Sequence, residues 1–138
     1  MKNNQLMIYG AYGYAGELMV REAVAQGLRP IIAGRDDEKL KPIATELSLE
    51  CRAFGVRNTG SNLQDISVLL NCAGPFSATA EPLARACLAQ QIHYLDITGE
   101  IDIFRKCHAL DEEARQQNVL ILPGAGTDIV PTLSLIHI

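Results

Sequence analysis

The sequence predicts an α/β protein: a doubly wound parallel sheet of about six strands, order 3-2-1-4-5-6, with helices on both faces. Three observations predict it. Short apolar runs alternate with helical patterns along the chain. The first run, LMIY, feeds directly into a turn with glycines at positions 10, 13 and 16. The loops with distinctive chemistry all follow the carboxyl ends of strands. Strands joined through helices imply right-handed crossovers and parallel pairing.

The first strand is Leu6–Tyr9, a run too short and apolar to be anything but buried. A helix follows over 15–26, with Leu18, Met19, Val20, Ala23 and Val24 as its apolar face and Gly27 as its stop. Residues 30–34, PIIAG, form the second strand. In RDDEKLKPIATEL, Pro42 lacks an N–H, which places it in a first helical turn after a short turn through residues 38–40. Residues 49–54, LECRAF, alternate with charges on one face and suit an edge strand. Residues 67–74 give a central strand ending in a loop. By the same logic Pro82 marks the start of the next helix, EPLARACLAQQ. A fifth strand covers 92–97. One amphipathic helix covers 102–118, with Ile103, Phe104, Cys107, Ala109 and Leu110 inward, and a sixth strand covers 119–126.

The chain has 138 residues, one domain's length, with 48% apolar and 20% charged residues and a net charge of −4. That balance, without a Lys/Arg cluster, excludes a nucleic-acid footprint. No apolar run is long enough to span a bilayer, and the N-terminus is not a signal peptide. Cys51, Cys72, Cys87 and Cys107 form no C-x-x-C pair, and His93, His108 and His137 have no metal-ligand spacing. A reduced, cytoplasmic protein with no metal is the expectation.

The glycine turn carries the functional signal. A strand, a tight turn and a helix N-terminus leave backbone N–H groups free at the positive end of a helix dipole, which suits a pyrophosphate. Gly10 permits the turn, Gly13 the close approach of phosphate, and Gly16 close helix packing. The spacing is G-x-x-G-x-x-G, and no Gly-Lys-Ser/Thr follows, so the loop is not a P-loop. Past the second strand, AGRDD puts Arg35 first, where a guanidinium can clamp a 2′-phosphate and favour NADP. The alternative is NAD, with Asp36 on the ribose, or Asp36 as a mere cap.

The motifs GAYGYAG, AGR, NCAGPF, Ala86–Cys87, HYLDITGE and GTDIVP stand here in the order and at roughly the intervals of saccharopine dehydrogenase-like oxidoreductases. The sequence resembles their N-terminal, Rossmann-like NADP-binding domain almost throughout, up to Pro131. The resemblance implies that Gly10, Ala11, Tyr12, Gly13, Tyr14, Ala15 and Gly16 form the pyrophosphate loop. It further implies Arg35 at the 2′-phosphate, and Cys72, Ala73, Gly74, Pro75 and Phe76 on the ribose and nicotinamide side. Family activities are saccharopine-forming and related imine reductions, and enoyl reduction in lipid assembly. Two residues depart from the pattern: Ala80, where a glycine is usual, and Thr127, where an aromatic is usual. Short-chain dehydrogenases share the glycine loop but need Tyr-x-x-x-Lys, and none of Tyr9, Tyr12, Tyr14 or Tyr94 has a lysine four residues on.

Hydride transfer to an imine, carbonyl or enoyl substrate needs a positioned nicotinamide and a proton donor. Asp96 and Glu100, at a strand end and its loop, are the candidates, though the commoner use of such residues is to cap a turn or start a helix. His93 and Tyr94 read as packing, as does the Cys72 thiol; Asp128 lies near the same edge. A non-enzymatic redox sensor, binding the dinucleotide and signalling to a partner, is the alternative function. The expected domain runs over 1–132. The last six residues, LSLIHI, match one frame of a sequencing-adapter end and are expected to be non-native. A second, catalytic or dimerisation domain, through which a homodimer would form, is expected to be missing.

Overall fold

The computed structural model describes residues 4–126. Six parallel strands form one sheet in the order β3-β2-β1-β4-β5-β6. They are β1 (Leu6–Tyr9), β2 (Ile31–Gly34), β3 (Cys51–Ala53), β4 (Val68–Asn71), β5 (His93–Asp96) and β6 (Ile121–Leu122). The helices are α1 (Tyr14–Ala25), α2 (Asp37–Leu47), α3 (Phe76–Ala89), α4 (Ile101–His108) and α5 (Asp111–Gln116), with a short 3-10 turn at Gly60–Leu63. The doubly wound sheet and its strand order are as the sequence predicts. The chain reverses its direction of travel across the sheet between β1 and β4, which pair directly, Tyr9 opposite Asn71.

Two cores lie on the two faces. On one, Ile8 and Ile32 pack with Val20, Ala23, Leu40 and Ile43 from α1 and α2. On the other, Met7, Leu69 and Tyr94 pack with Leu83, Cys87, Ile103, Cys107 and Leu110. Three of the four cysteines are buried and all four are free thiols. No described helix is long and apolar enough to cross a membrane, and the described residues hold no cluster of three or more His, Cys, Asp or Glu side chains placed to hold a metal.

Several elements differ from expectation, each for a physical reason. Pro42 is not in a first turn but sits inside α2, which starts five residues earlier at Asp37. Asp36 caps that helix, its Oδ1 accepting from the N–H groups of Glu38 and Lys39, and the cap fixes the start upstream of the proline. Pro82 likewise lies inside α3, which starts at Phe76 directly after Pro75. The single helix expected over 102–118 is two. Arg105, Lys106 and His108 fill the last turn of α4, and Asp111, Glu112 and Glu113 the first turn of α5. Basic residues favour a helix C-terminus and acidic ones an N-terminus, so this run stabilises a break. Leu18 faces solvent and not the core, whereas Gly16, Val20 and Ala23 are buried. The third and sixth strands are shorter than expected, three and two residues.

Candidate functional site

The loops after β1, β2 and β4 enclose a cleft of about 250 Å³ at the point where the strand order reverses. Ligands of open α/β sheets bind at such a crevice. Its walls include Gly10, Tyr12 and Gly13 from the first loop, Arg35 beyond β2, and Cys72, Ala73, Gly74 and Pro75 beyond β4. Those eight residues are the predicted ones that the fold brings together at the cleft.

Gly10 has φ +84°, and a Cβ there would lie 2.7 Å from the backbone nitrogen of Ala73. Only glycine lets the first and fourth strand ends approach this closely. Gly16 is in the first turn of α1, where a Cβ would run into the Gly10 carbonyl. Gly13 is the N-cap of α1 and offers no side chain to it, so the helix starts with its leading N–H groups uncapped beside the cleft. The remaining predicted loop residues stand apart from the wall. Ala11 is fully buried, Tyr14 is 88% exposed, and Ala15 continues the helix. Phe76 opens α3 and packs on the core.

Beyond β2, Arg35 is exposed and makes no hydrogen bond or ion pair among the described residues. Asp36, the alternative ribose partner, has one carboxylate oxygen committed to the start of α2. The Tyr12 ring lies against Gly34, its Cε1 2.6 Å from where a Cβ would stand, and the Lys39 ammonium sits 5.5 Å from the ring centroid.

The loop after β4 is held by a buried polar network that sequence reasoning missed. Asn71 accepts a hydrogen bond from the Ala73 N–H and donates through Nδ2 to Thr79 Oγ1 and Tyr94 Oη. Thr79 Oγ1 donates in turn to the Ala73 carbonyl, and Tyr94 Oη donates to Asp96 Oδ2 at 2.8 Å. Asp96 Oδ1 accepts from the N–H groups of Thr98 and Gly124. Asn71, Tyr94 and Asp96 are each fully buried, and Asn71 and Asp96 are register partners across β4 and β5. A period-two reading of positions 94 and 96 could have found this shared face. Burial, then the Asp96 charge, pushes the Tyr94 phenol far above its ordinary range, so it stays a hydrogen-bond donor.

The same two causes, in the same order, push the Cys72 thiol up to about 12, leaving it an inert piece of cleft wall. Tyr9 also lines the cleft. Its hydroxyl donates to the Phe54 carbonyl at 2.8 Å, and burial raises its pKa to about 12. Gly34, Val56, Ala78 and Thr79 complete the wall unpredicted. Ala78 and Thr79 were hidden by the late helix start at Pro82, and nothing in the sequence marks Val56.

Asp96 and Glu100 do not line the cleft. Glu100 is exposed at the N-cap of α4. His93 Nδ1 accepts from the Leu120 N–H and ties β5 to the β6 edge. Ala80 lies in the buried face of α3. Thr127, Asp128 and the six-residue tail fall outside the described residues.

Comparison with known proteins gives a consistent result. A rat saccharopine dehydrogenase-like oxidoreductase is 27% identical over 150 residues, covering 92% of this chain and 35% of its own. A lipid droplet localized protein of Caenorhabditis elegans is 23% identical, covering 95% of this chain and 35% of its own. The chain thus spans about a third of the length of these curated relatives. Among solved structures, apo saccharopine dehydrogenase (L-Glu forming) from Saccharomyces cerevisiae superposes with a TM-score of 0.78. At 13% identity, over 98% of this chain and 32% of that one, the likeness is one of fold. The model of the saccharopine dehydrogenase NADP binding domain matches residues 6–122, and the chain belongs to that family.

Proposed function

We propose that this chain is the dinucleotide-binding domain of an NADP-dependent oxidoreductase that reduces an imine, carbonyl or enoyl substrate. One observation carries the reading. The cleft at the strand reversal joins a glycine turn and an uncapped helix N-terminus to an unpaired arginine at the end of β2. The residues present fit a nicotinamide dinucleotide: Gly10 lets the strand ends close together, Gly13 leaves an exposed, uncapped start to α1 where a pyrophosphate would lie, and Arg35 is free to meet a 2′-phosphate. Asp36, held by its own helix, is less free to take the ribose hydroxyls of NAD. When bound, the cofactor supplies the hydride.

This chain's own residues bind and orient. The α1 N-terminus and the loop residues Gly10, Tyr12 and Gly13 hold the pyrophosphate, with Gly16 packing the helix close behind them. Cys72, Ala73, Gly74 and Pro75 shape the nicotinamide side, and Asn71 and Thr79 fix the height of that loop through Ala73. Asp96 acts through its hold on residues 98 and 124, while Glu100, being exposed, is the carboxylate free to meet a substrate. In this reading substrate selection and any homodimer contact lie outside this domain, as the threefold greater length of the relatives supports.

Titration calorimetry of the chain with NADP+ and NAD+ tests the proposal. Arg35→Ala is expected to weaken NADP+ binding about tenfold or more and to leave NAD+ unchanged, since a charge-assisted contact to one phosphate is lost. Equal weakening of both, or of neither, contradicts the assignment.

A further inference from the structure

We infer that Lys39 is a second reader of the cofactor's 2′-phosphate, presented by the Tyr12 ring; this rests on the NADP reading above. The first observation is the pattern of cations. Arg21, Lys41, Arg52, Arg85, Arg105, Lys106 and Arg115 each have a carboxylate within ion-pair distance. Arg29 donates to the Leu47 and Ser48 carbonyls. Among the described residues, Arg35, Lys39 and Arg57 alone lack such a partner. Arg35 lines the cleft, Arg57 follows the cleft residue Val56, and Lys39 lies over the cleft residue Tyr12. Unpaired cations at and beside a cleft create a positive field that an anionic ligand satisfies.

The second observation is how Lys39 is held. Asp36 accepts its backbone N–H, which fixes it in the first turn of α2. Its ammonium is 5.5 Å from the Tyr12 ring centroid, within cation–π range. The Tyr12 ring is itself pressed against Gly34, the residue before Arg35. Of the nearby acids, Asp36 caps the helix and Asp37 pairs with Lys41 at 2.8 Å, while the exposed Glu38 makes no ion pair with Lys39. An unpaired ammonium thus stands over a ring that touches Gly34, the residue before Arg35. An ammonium is a point charge where a guanidinium is a fork, so the two can share one phosphate without competing for geometry.

The test is calorimetry of the full 138-residue chain and its Lys39→Met and Lys39→Arg variants with NADP+ and NAD+, at low and high salt. Methionine keeps the stem and removes the charge; unchanged circular dichroism and melting show that the fold is intact. Lys39→Met is expected to weaken NADP+ binding about five- to tenfold at low salt, less at high salt, with NAD+ unaffected and Lys39→Arg near the parent. If Lys39→Met binds NADP+ like the parent while Arg35→Ala loses it selectively, the inference fails and the NADP reading stands. If Lys39→Met weakens both dinucleotides equally, Lys39 meets a part they share and the inference also fails. A parent chain that binds neither overturns both.

Discussion

Tyr94 shows how much one hydroxyl can organise. It donates to Asp96 and accepts from Asn71, with all three residues fully buried. Tyr94→Phe removes the oxygen, fills nearly the same volume and leaves the Asp96 and Asn71 atoms short of a partner in a place water reaches poorly. A buried polar group left unsatisfied costs about 1–3 kcal/mol. Urea unfolding is therefore expected to show that loss, with the slope unchanged. A loss below about 0.3 kcal/mol would mean that the network relaxes at little cost. At this scale the sequence was legible where the backbone dictates the residue. Gly10 and Gly16 could be assigned from spacing alone because close approach admits no other side chain. Thr79 and Val56 could not, since what brings them to the cleft is the placement of whole elements.

Two of the helices that differ from expectation, α2 and α3, share one cause. A proline suits a helix start, whereas these two helices begin five and six residues before theirs. In α2 the Asp36 cap satisfies two N–H groups at the start, which offsets the absence of an N–H at Pro42. The buried face formed by Leu40, Ile43 and Ala44 spans the proline and holds the helix together across it. Pro42 itself is exposed. Pro42→Ala restores an N–H that can reach the Glu38 carbonyl, and helix propensity gains more than the stiffer unfolded chain loses. The net is expected to be about 1–2 kcal/mol of added stability by chemical denaturation. Destabilisation by this substitution would show that the proline shapes a bend the packing needs. The strands were easier to read, because short apolar runs beside glycines leave a buried parallel strand as the one economical use.

At the scale of the whole molecule, burial of neutral acids sets the alkaline limit. Burial, then the Asp96 charge, raises Cys72 from 9.0 to about 12 and Cys107 from 9.0 to about 11, and burial foremost raises Tyr9 from 10.0 to about 12. Between the ordinary and the raised value, the unfolded chain has released a proton that the folded chain keeps. Stability from these groups is whole below about pH 9 and falls as pH rises toward 11–12. The melting temperature is expected to be level across neutral pH and to drop above about pH 9. The Cys72→Ala/Cys107→Ala variant is expected to show a shallower drop. An equally steep drop in that variant would assign the alkaline loss to other groups.

The central claim is that this fold exists to hold a nicotinamide dinucleotide at the β1–β4 reversal, and that Arg35 prefers the one with a 2′-phosphate. The thermal unfolding of the chain alone, then with saturating NADPH, then with saturating NADH, tests it most directly. A ligand that binds only the native state raises the midpoint, by several degrees for a domain of this size at about 100 times its Kd. The expected result is a cooperative transition raised by both and further by NADPH. A cooperative transition that neither moves would contradict it, leaving the glycine turn as structure alone.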